Sequence, residues 1–318
     1  MAGSDHAKNH AVGSGGFRLF LLILLVLGHQ AGFAAIFGSD TRTSIASRST
    51  AVAVLSSNFS VKGEKIKLEA DLMGELLCSD EKFANEPSLS YSCTGFLVDE
   101  DLLVTAGHCM VNTGEDRHET QTYCEAYSWL FDYNSGLDVT NVPKNNLYGC
   151  KEVLYAIREE TAPFRDFAIV RLNRKVEGRA PLRLRQDATV TAPLSMIGYP
   201  FGTPAKLSVG ASVLLNQPAA QSFVTNLNAF EGNSGSPVMD ANGEVVGILT
   251  GGTPVESLVM DPVRNCMHYN RCRPDGTGCL RPDTPEELKS LPEVQVPGSI
   301  VQRIAPVLPF LAPSFLGM

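Results

Sequence analysis

Short apolar runs separated by turn-forming residues recur along the chain: Thr94 to Val98, Leu102 to Thr105, Phe167 to Leu172, Leu194 to Gly198, Ala211 to Leu215, Ser236 to Met239 and Glu244 to Thr250. Short runs at this spacing predict β-strands, and many such strands build barrels or sandwiches. The tetrapeptide Asp240-Ala241-Asn242-Gly243 has glycine where a hairpin favours positive φ, and Pro200, Gly202 and Pro204 mark another turn. No sustained helical period competes, apart from Pro285 to Leu291 and the final apolar stretch. Pro306, Pro309 and Pro313 keep the tail Ile300 to Met318 from forming one long helix. Two places for that tail stay open: packed on the body of the fold, or lying outside it. The predicted class is all-β.

A different pattern opens the chain. Leu19 to Leu27 is an unbroken apolar run preceded by Lys8 and Arg18 and followed by small residues at Gly32, Ala34 and Ala35. It is far shorter than the roughly 20 residues needed to cross a bilayer, and it has the layout of a secretory signal, with 1–34 removed. No stable membrane span is then expected, and the location is secreted or periplasmic. Loss of 1–34 moves the formal charge from −8 to −9, so the chain carries no basic footprint for nucleic acid. With 318 residues and 44% apolar composition, it can bury a core without metal or repeats. All eight cysteines (78, 93, 109, 124, 150, 266, 272 and 279) follow the signal segment, and an even number in an exported chain argues for disulfides. Neither a cofactor nor a metal is expected.

The chemistry concentrates in three places. Glu231-Gly232-Asn233-Ser234-Gly235-Ser236-Pro237 sets a serine between glycines on a tight turn, where a hydroxyl and free backbone N–H groups are presented together. Thr105-Ala106-Gly107-His108-Cys109 supplies an imidazole after an apolar run, and Arg165-Asp166-Phe167-Ala168-Ile169-Val170 places a carboxylate at the entrance of another. A serine hydroxyl needs a base within hydrogen-bond reach, and the base needs a carboxylate to hold its tautomer. His118 and His268 lie in polar, loop-like surroundings and read as solvated surface histidines. The order His108, Asp166, Ser234 and the wording G-N-S-G-S exclude the α/β-hydrolase elbow, which runs serine, acid, histidine through G-x-S-x-G.

With T-A-G-H-C, D-F-A-I-V and G-N-S-G-S-P-V in sequence, the chain resembles the trypsin-like (chymotrypsin-fold) serine peptidases. Ile36-Phe37-Gly38-Ser39-Asp40-Thr41-Arg42 and G-N-S-G-S-P-V are most similar to the bacterial glutamyl-endopeptidase branch. The resemblance covers about Ile36 to the region of Cys279 and implies two six-stranded antiparallel β-barrels with a boundary near 183–192, within a domain taken as 35–318 that has room for a C-terminal extension from about 283. The active site would lie in the cleft, with His108 and Asp166 from the first barrel and Ser234 from the second. It implies a serine endopeptidase acting on proteins or peptides, an oxyanion hole from the N–H groups of Gly232 and Ser234, and a disulfide between Cys93 and Cys109. Cys124 with Cys150 is the next pairing, leaving Cys78 for Cys266, Cys272 or Cys279.

The same alignment puts Asn228, Ala229 and Phe230 on one wall of the substrate pocket and Leu249, Thr250, Gly251 and Gly252 on the other. Asn233 stands where mammalian relatives carry an aspartate that binds a newly released N-terminus, and Leu249 where glutamyl endopeptidases have a histidine. Two specificities stay open: an apolar or small side chain in the primary pocket, or a partner protein recognised through loops.

Overall fold

The computed structural model describes residues 43–89, 92–112, 117–252, 258–270 and 298–312, all within the unit Gly32–Met318. The signal segment, the helical pattern at Pro285 to Leu291, Cys272 and Cys279 lie outside the described residues. A short helix, Thr43–Arg48, leads into six strands that form a closed barrel: β1 (Thr50–Leu55), β2 (Thr94–Leu97), β3 (Leu102–Thr105), β4 (Tyr127–Phe131), β5 (Leu147–Arg158) and β6 (Asp166–Leu172). Their order around the barrel is β1-β2-β3-β6-β5-β4, and β4 pairs back onto β1 with Ala51 opposite Phe131.

After residues 173–193 the chain builds a second sheet from β7 (Leu194–Gly198), β8 (Lys206–Ala211), β9 (Val213–Leu215), β10 (Ser222–Thr225), β11 (Pro237–Met239) and β12 (Val245–Gly252). A hairpin, β13 (Leu258–Asp261) with β14 (Cys266–Tyr269), stands apart, and the last strand is β15 (Ser299–Arg303). The sheet order is β8-β7-β11-β12-β15-β10-β9. Its closure differs from that of the first barrel. The two edge strands are consecutive in sequence, with only Ser212 between them, so the sheet curls until one bent segment, Lys206 to Leu215, supplies both edges. The apolar run Ala211 to Leu215 straddles that bend.

Period-two alternation explains why the strands of the first barrel read as unbroken apolar runs. Leu97, Leu103, Ala168 and Val170 point into the barrel, where they meet Trp129, Phe131 and Tyr148. Their neighbours Phe96, Val104, Phe167 and Ile169 point outward and are just as buried, against Ile197, Met239, Ile248 and Ile304 of the second half. Met196, Phe223, Val238, Val246 and Val301 fill the second sheet's interior. The described tail belongs to this body. Strand β15 runs between β12 and β10, and the 3-10 turns at Ala305–Leu311 set Phe310 against Tyr155, 4.3 Å between ring centroids. The open question about Ile300 onward is thus answered by a central strand.

One helix was not legible in the apolar pattern: Arg117–Ala126, whose sequence RHETQTYCEA has no apolar stripe. Local and covalent ties hold it instead, namely a Gln121–Glu125 hydrogen bond one helical turn apart, the Tyr123–Tyr127 ring stack and the Cys124–Cys150 disulfide to β5. The other described disulfides are Cys93–Cys109 and Cys78–Cys266.

The hairpin joining β11 to β12 is fastened by Asp240. Its Oδ1 accepts from the N–H groups of Asn242 (2.8 Å) and Glu244 (3.0 Å), and Oδ2 accepts from Arg185. Burial alone would raise this carboxyl's pKa, but the Glu244 amide, Arg185 and the Asn242 amide outweigh it and hold it below the usual value. A group depressed in this way contributes stability above its unfolded pKa, about 3.9, and loses it as pH falls through the folded value. Urea unfolding of Asp240→Asn is expected to show a loss of about 1–3 kcal/mol at neutral pH and a shallower decline of stability below about pH 4 than the parent.

Candidate active site

The histidine sits on the 3-10 turn Gly107–Cys109 that ends β3, with Cys109 bridged to Cys93 just before β2. Glycine at 107 is a steric necessity, since a Cβ there would lie 1.8 Å from the Ile157 carbonyl oxygen and 2.9 Å from Asp166 Oδ1. The close approach lets one carboxylate grip the histidine twice. The His108 backbone N–H donates to Asp166 Oδ1 at 2.8 Å, and His108 Nδ1 lies 2.8 Å from Asp166 Oδ2. Because Asp166 at the mouth of β6 is the acceptor, the proton belongs on Nδ1 and Nε2 is left basic. Arg165 does not compete for Asp166: its guanidinium takes Glu159, at 2.7 Å and 3.1 Å.

The serine turn leads into β11. Asn233 N–H donates to Phe230 O (3.0 Å), Ser236 N–H to Asn233 O (2.9 Å) and Gly235 N–H to Leu249 O (2.7 Å). Gly232 has φ +89°, and a Cβ on it would meet the Tyr199 carbonyl oxygen at 2.4 Å. The turn is clamped to the first barrel by Thr94, whose N–H donates to Ser234 O (2.7 Å) and whose hydroxyl donates to Gly232 O (2.8 Å). Cys109 Sγ lies 3.9 Å from the same Ser234 carbonyl, so the histidine and serine turns adjoin. Among the described residues the N–H groups of Gly232 and Ser234 meet no protein acceptor, and no hydrogen bond joins His108 Nε2 to Ser234 Oγ. Such contacts are often long in the absence of substrate.

The residues expected to wall the pocket separate into two groups. Ala229 and Leu249 are packed in the second sheet's interior, and Phe230 is buried against Phe201 and Tyr269, with centroids 5.3 and 5.4 Å away. Asn228 is buried too, its N–H donating to Ser208 Oγ at 3.2 Å. Thr250, Gly251 and Gly252 lie toward the surface at the end of β12. Strand β11 stops pairing with β12 at Ile248, whereas β15 continues opposite Gly251 and Gly252, so among the described residues one side of this strand end is left unpaired in the sheet.

Three features escaped the sequence. His268 is buried, not solvated, with Nδ1 2.7 Å from Glu81 Oε1 and Nε2 3.4 Å from Asp261 Oδ2. Its polar neighbours in sequence hid a strand that bridges to Leu77 and is stapled there by Cys78–Cys266. His118 lies on the Arg117–Ala126 helix and not in a loop. Lys206 is buried beside the serine turn's crevice, with Nζ 2.5 Å from Glu86 Oε2 and 2.7 Å from Pro204 O. Burial draws its pKa down, and Glu86 opposes that pull. The potential donor clusters Cys93–His108–Cys109 and Cys78–Asp261–His268 draw their sulfurs from disulfides, which removes the thiolates a metal would need.

Residues 93–248 match the family model described as a trypsin-like peptidase domain. The chain is 24% identical over 196 residues to a glutamyl endopeptidase of Staphylococcus aureus (strain MW2), an alignment covering 58% of this chain and 55% of that protein. The same identity holds for the glutamyl endopeptidase of S. aureus strain MSSA476. The chain thus spans about half the length of the curated relatives it matches. Among solved structures, a Glu endopeptidase in complex with MPD aligns with TM-score 0.43 and 18% identity, over 68% of this chain and 84% of that one. The active form of the Rv3671c protease from M. tuberculosis aligns with TM-score 0.42 and 12% identity, over 85% and 82%.

The steric demand at Gly107 is directly testable. Gly107→Ala is expected to lower the thermal midpoint, with a cost of roughly 1–3 kcal/mol from overpacking, and to disturb the His108 amide resonance bonded to Asp166. An unchanged midpoint would mean that Ile157 and Asp166 yield to the added methyl.

Proposed function

We propose that this chain, which belongs to the trypsin-like serine peptidase family, is a secreted or periplasmic serine endopeptidase working through an acyl-enzyme. The observation that carries this reading is the double grip of Asp166 on His108, 2.8 Å at the backbone N–H and 2.8 Å at Nδ1, which a solvated structural histidine has no need of. Ser234 Oγ attacks the substrate carbonyl while His108 Nε2 takes its proton. His108 then returns that proton to the leaving amine, and Asp166 stabilises the imidazolium in between. Water repeats the sequence to release the acyl group. The Gly232 and Ser234 N–H groups bind the oxyanion; in enzymes of this kind the loss of one such donor costs about 10²–10³-fold in turnover.

The unpaired side of Thr250 to Gly252 suits an extended substrate adding as a strand, held by its backbone. Leu249, sealed in the core, provides no positive charge for an acidic side chain, which favours a small or apolar residue in the primary pocket. Export is supported by the apolar run Leu19 to Leu27 and by three disulfides. Among the described residues, no helix is long and apolar enough to cross a membrane.

A fluorophosphonate probe read by intact mass tests the assignment. One adduct at Ser234, absent in Ser234→Ala and about 10⁴-fold slower in Asp166→Asn, is the expected result. Absence of an adduct on processed, folded protein would overturn it in favour of a binding role for the cleft.

A further inference from the structure

Strand β15 reads Ser299-Ile300-Val301-Gln302-Arg303, and its glutamine is out of place by composition: it is central in the second sheet and only 1% exposed. A buried amide costs free energy unless both ends are bonded. Gln302 Oε1 accepts the backbone N–H of Asp166 at 3.2 Å, and Nε2 donates to Gln221 O at 2.9 Å and Arg303 O at 3.3 Å. The acceptor role toward Asp166 fixes which end of the amide is oxygen, and the two carbonyls hold the nitrogen end. The next residue anchors the strand: Arg303, also buried, donates to Ala220 O (2.9 Å) and Ala188 O (3.0 Å).

The Asp166 main chain is therefore held from both sides. On its own barrel, Glu159 N–H donates to Arg165 O at 2.8 Å, and the Arg165–Glu159 side-chain pair closes the loop that precedes β6. From the other sheet, Gln302 reaches across to the Asp166 N–H. A carboxylate that must meet two histidine N–H groups at 2.8 Å tolerates little displacement. We propose that Gln302 is a positioning residue for the catalytic acid, by which the C-terminal strand of the second sheet sets where Asp166 presents its carboxylate to His108. This role rests on the peptidase reading above, and it acts through Asp166, with no contact to substrate.

The test compares Gln302→Met, which keeps length and removes both polar ends, with Val301→Ala, which weakens the same strand in the buried interior without touching Asp166. Fluorophosphonate labelling gives the inactivation rate kinact and the probe affinity KI separately. Proton NMR gives the downfield resonance of His108 Nδ1–H in the bond to Asp166, and thermal melting confirms that each protein is folded. Gln302→Met is expected to lower kinact about tenfold at unchanged KI and to weaken or shift the Nδ1 proton signal. Val301→Ala should melt earlier with both readouts intact. Equal kinact losses in the two variants, or an unaltered Nδ1 proton in Gln302→Met, would overturn the role. If the parent protein itself takes no label, the peptidase reading falls, and the Nδ1 proton alone then decides for or against Gln302.

Discussion

Thr94 is the point through which the two halves are fixed to one another. Fully buried at the start of β2, it bonds in four directions. Its N–H holds Ser234 O, its hydroxyl donates to Gly232 O and accepts the Tyr199 N–H at 3.2 Å, and its carbonyl accepts Thr105 Oγ1 at 2.7 Å. Those partners belong to the serine turn, to the turn after β7 and to the strand that delivers His108. Next to it, Cys93 is covalently joined to Cys109. A shift of this one residue would move the serine turn and the histidine strand together, so their relative placement does not depend on either turn being rigid by itself. Burying four polar contacts is tolerable only because each is made; an unpaired donor or acceptor at such a site costs about 1–3 kcal/mol.

The apolar surface between the halves works in the same direction by other means. Phe96, Val104, Phe167 and Ile169 turn their backs on the first barrel's interior to pack on Ile197, Met239 and Ile248. Phe310 of the C-terminal 3-10 turns then closes over Tyr155 and Phe167 on the outside of that barrel. The hydrophobic contact supplies free energy without direction, and the Thr94 and Gln302 bonds supply direction with little net free energy. The candidate site needs both.

The local geometry of the candidate site was legible because the demands on it are local. A glycine must precede His108 for Asp166 to approach, glycines must frame Ser234, and a carboxylate must stand at a strand entrance, so each leaves a short motif. Strands were readable wherever both faces are buried, since alternation then collapses into a plain apolar run. What was not readable depends on residues far apart in sequence. Gln302 has no meaning until β15 is seen beside β12, and His268 looks solvated until Glu81, 187 positions away, closes on it. The Arg117–Ala126 helix lacks a stripe because a disulfide and a ring stack hold it where a packed apolar face otherwise would. Phe230 and Leu249 flank the site in sequence, yet their side chains turn into the core.

The bent segment Lys206 to Leu215 has a consequence for solubility. An open sheet exposes two rows of unsatisfied backbone groups to which any extended chain can add, and aggregation exploits such rows. Here one segment serves as both borders of the second sheet, while the first barrel has no border at all. Away from those borders, the stretch Thr250 to Gly252 on β12 has one side unpaired in the sheet among the described residues, where a foreign strand finds backbone partners. The open strand end next to the serine turn thus gives an extended polypeptide a place to pair beside Ser234, while the closed first barrel offers it none.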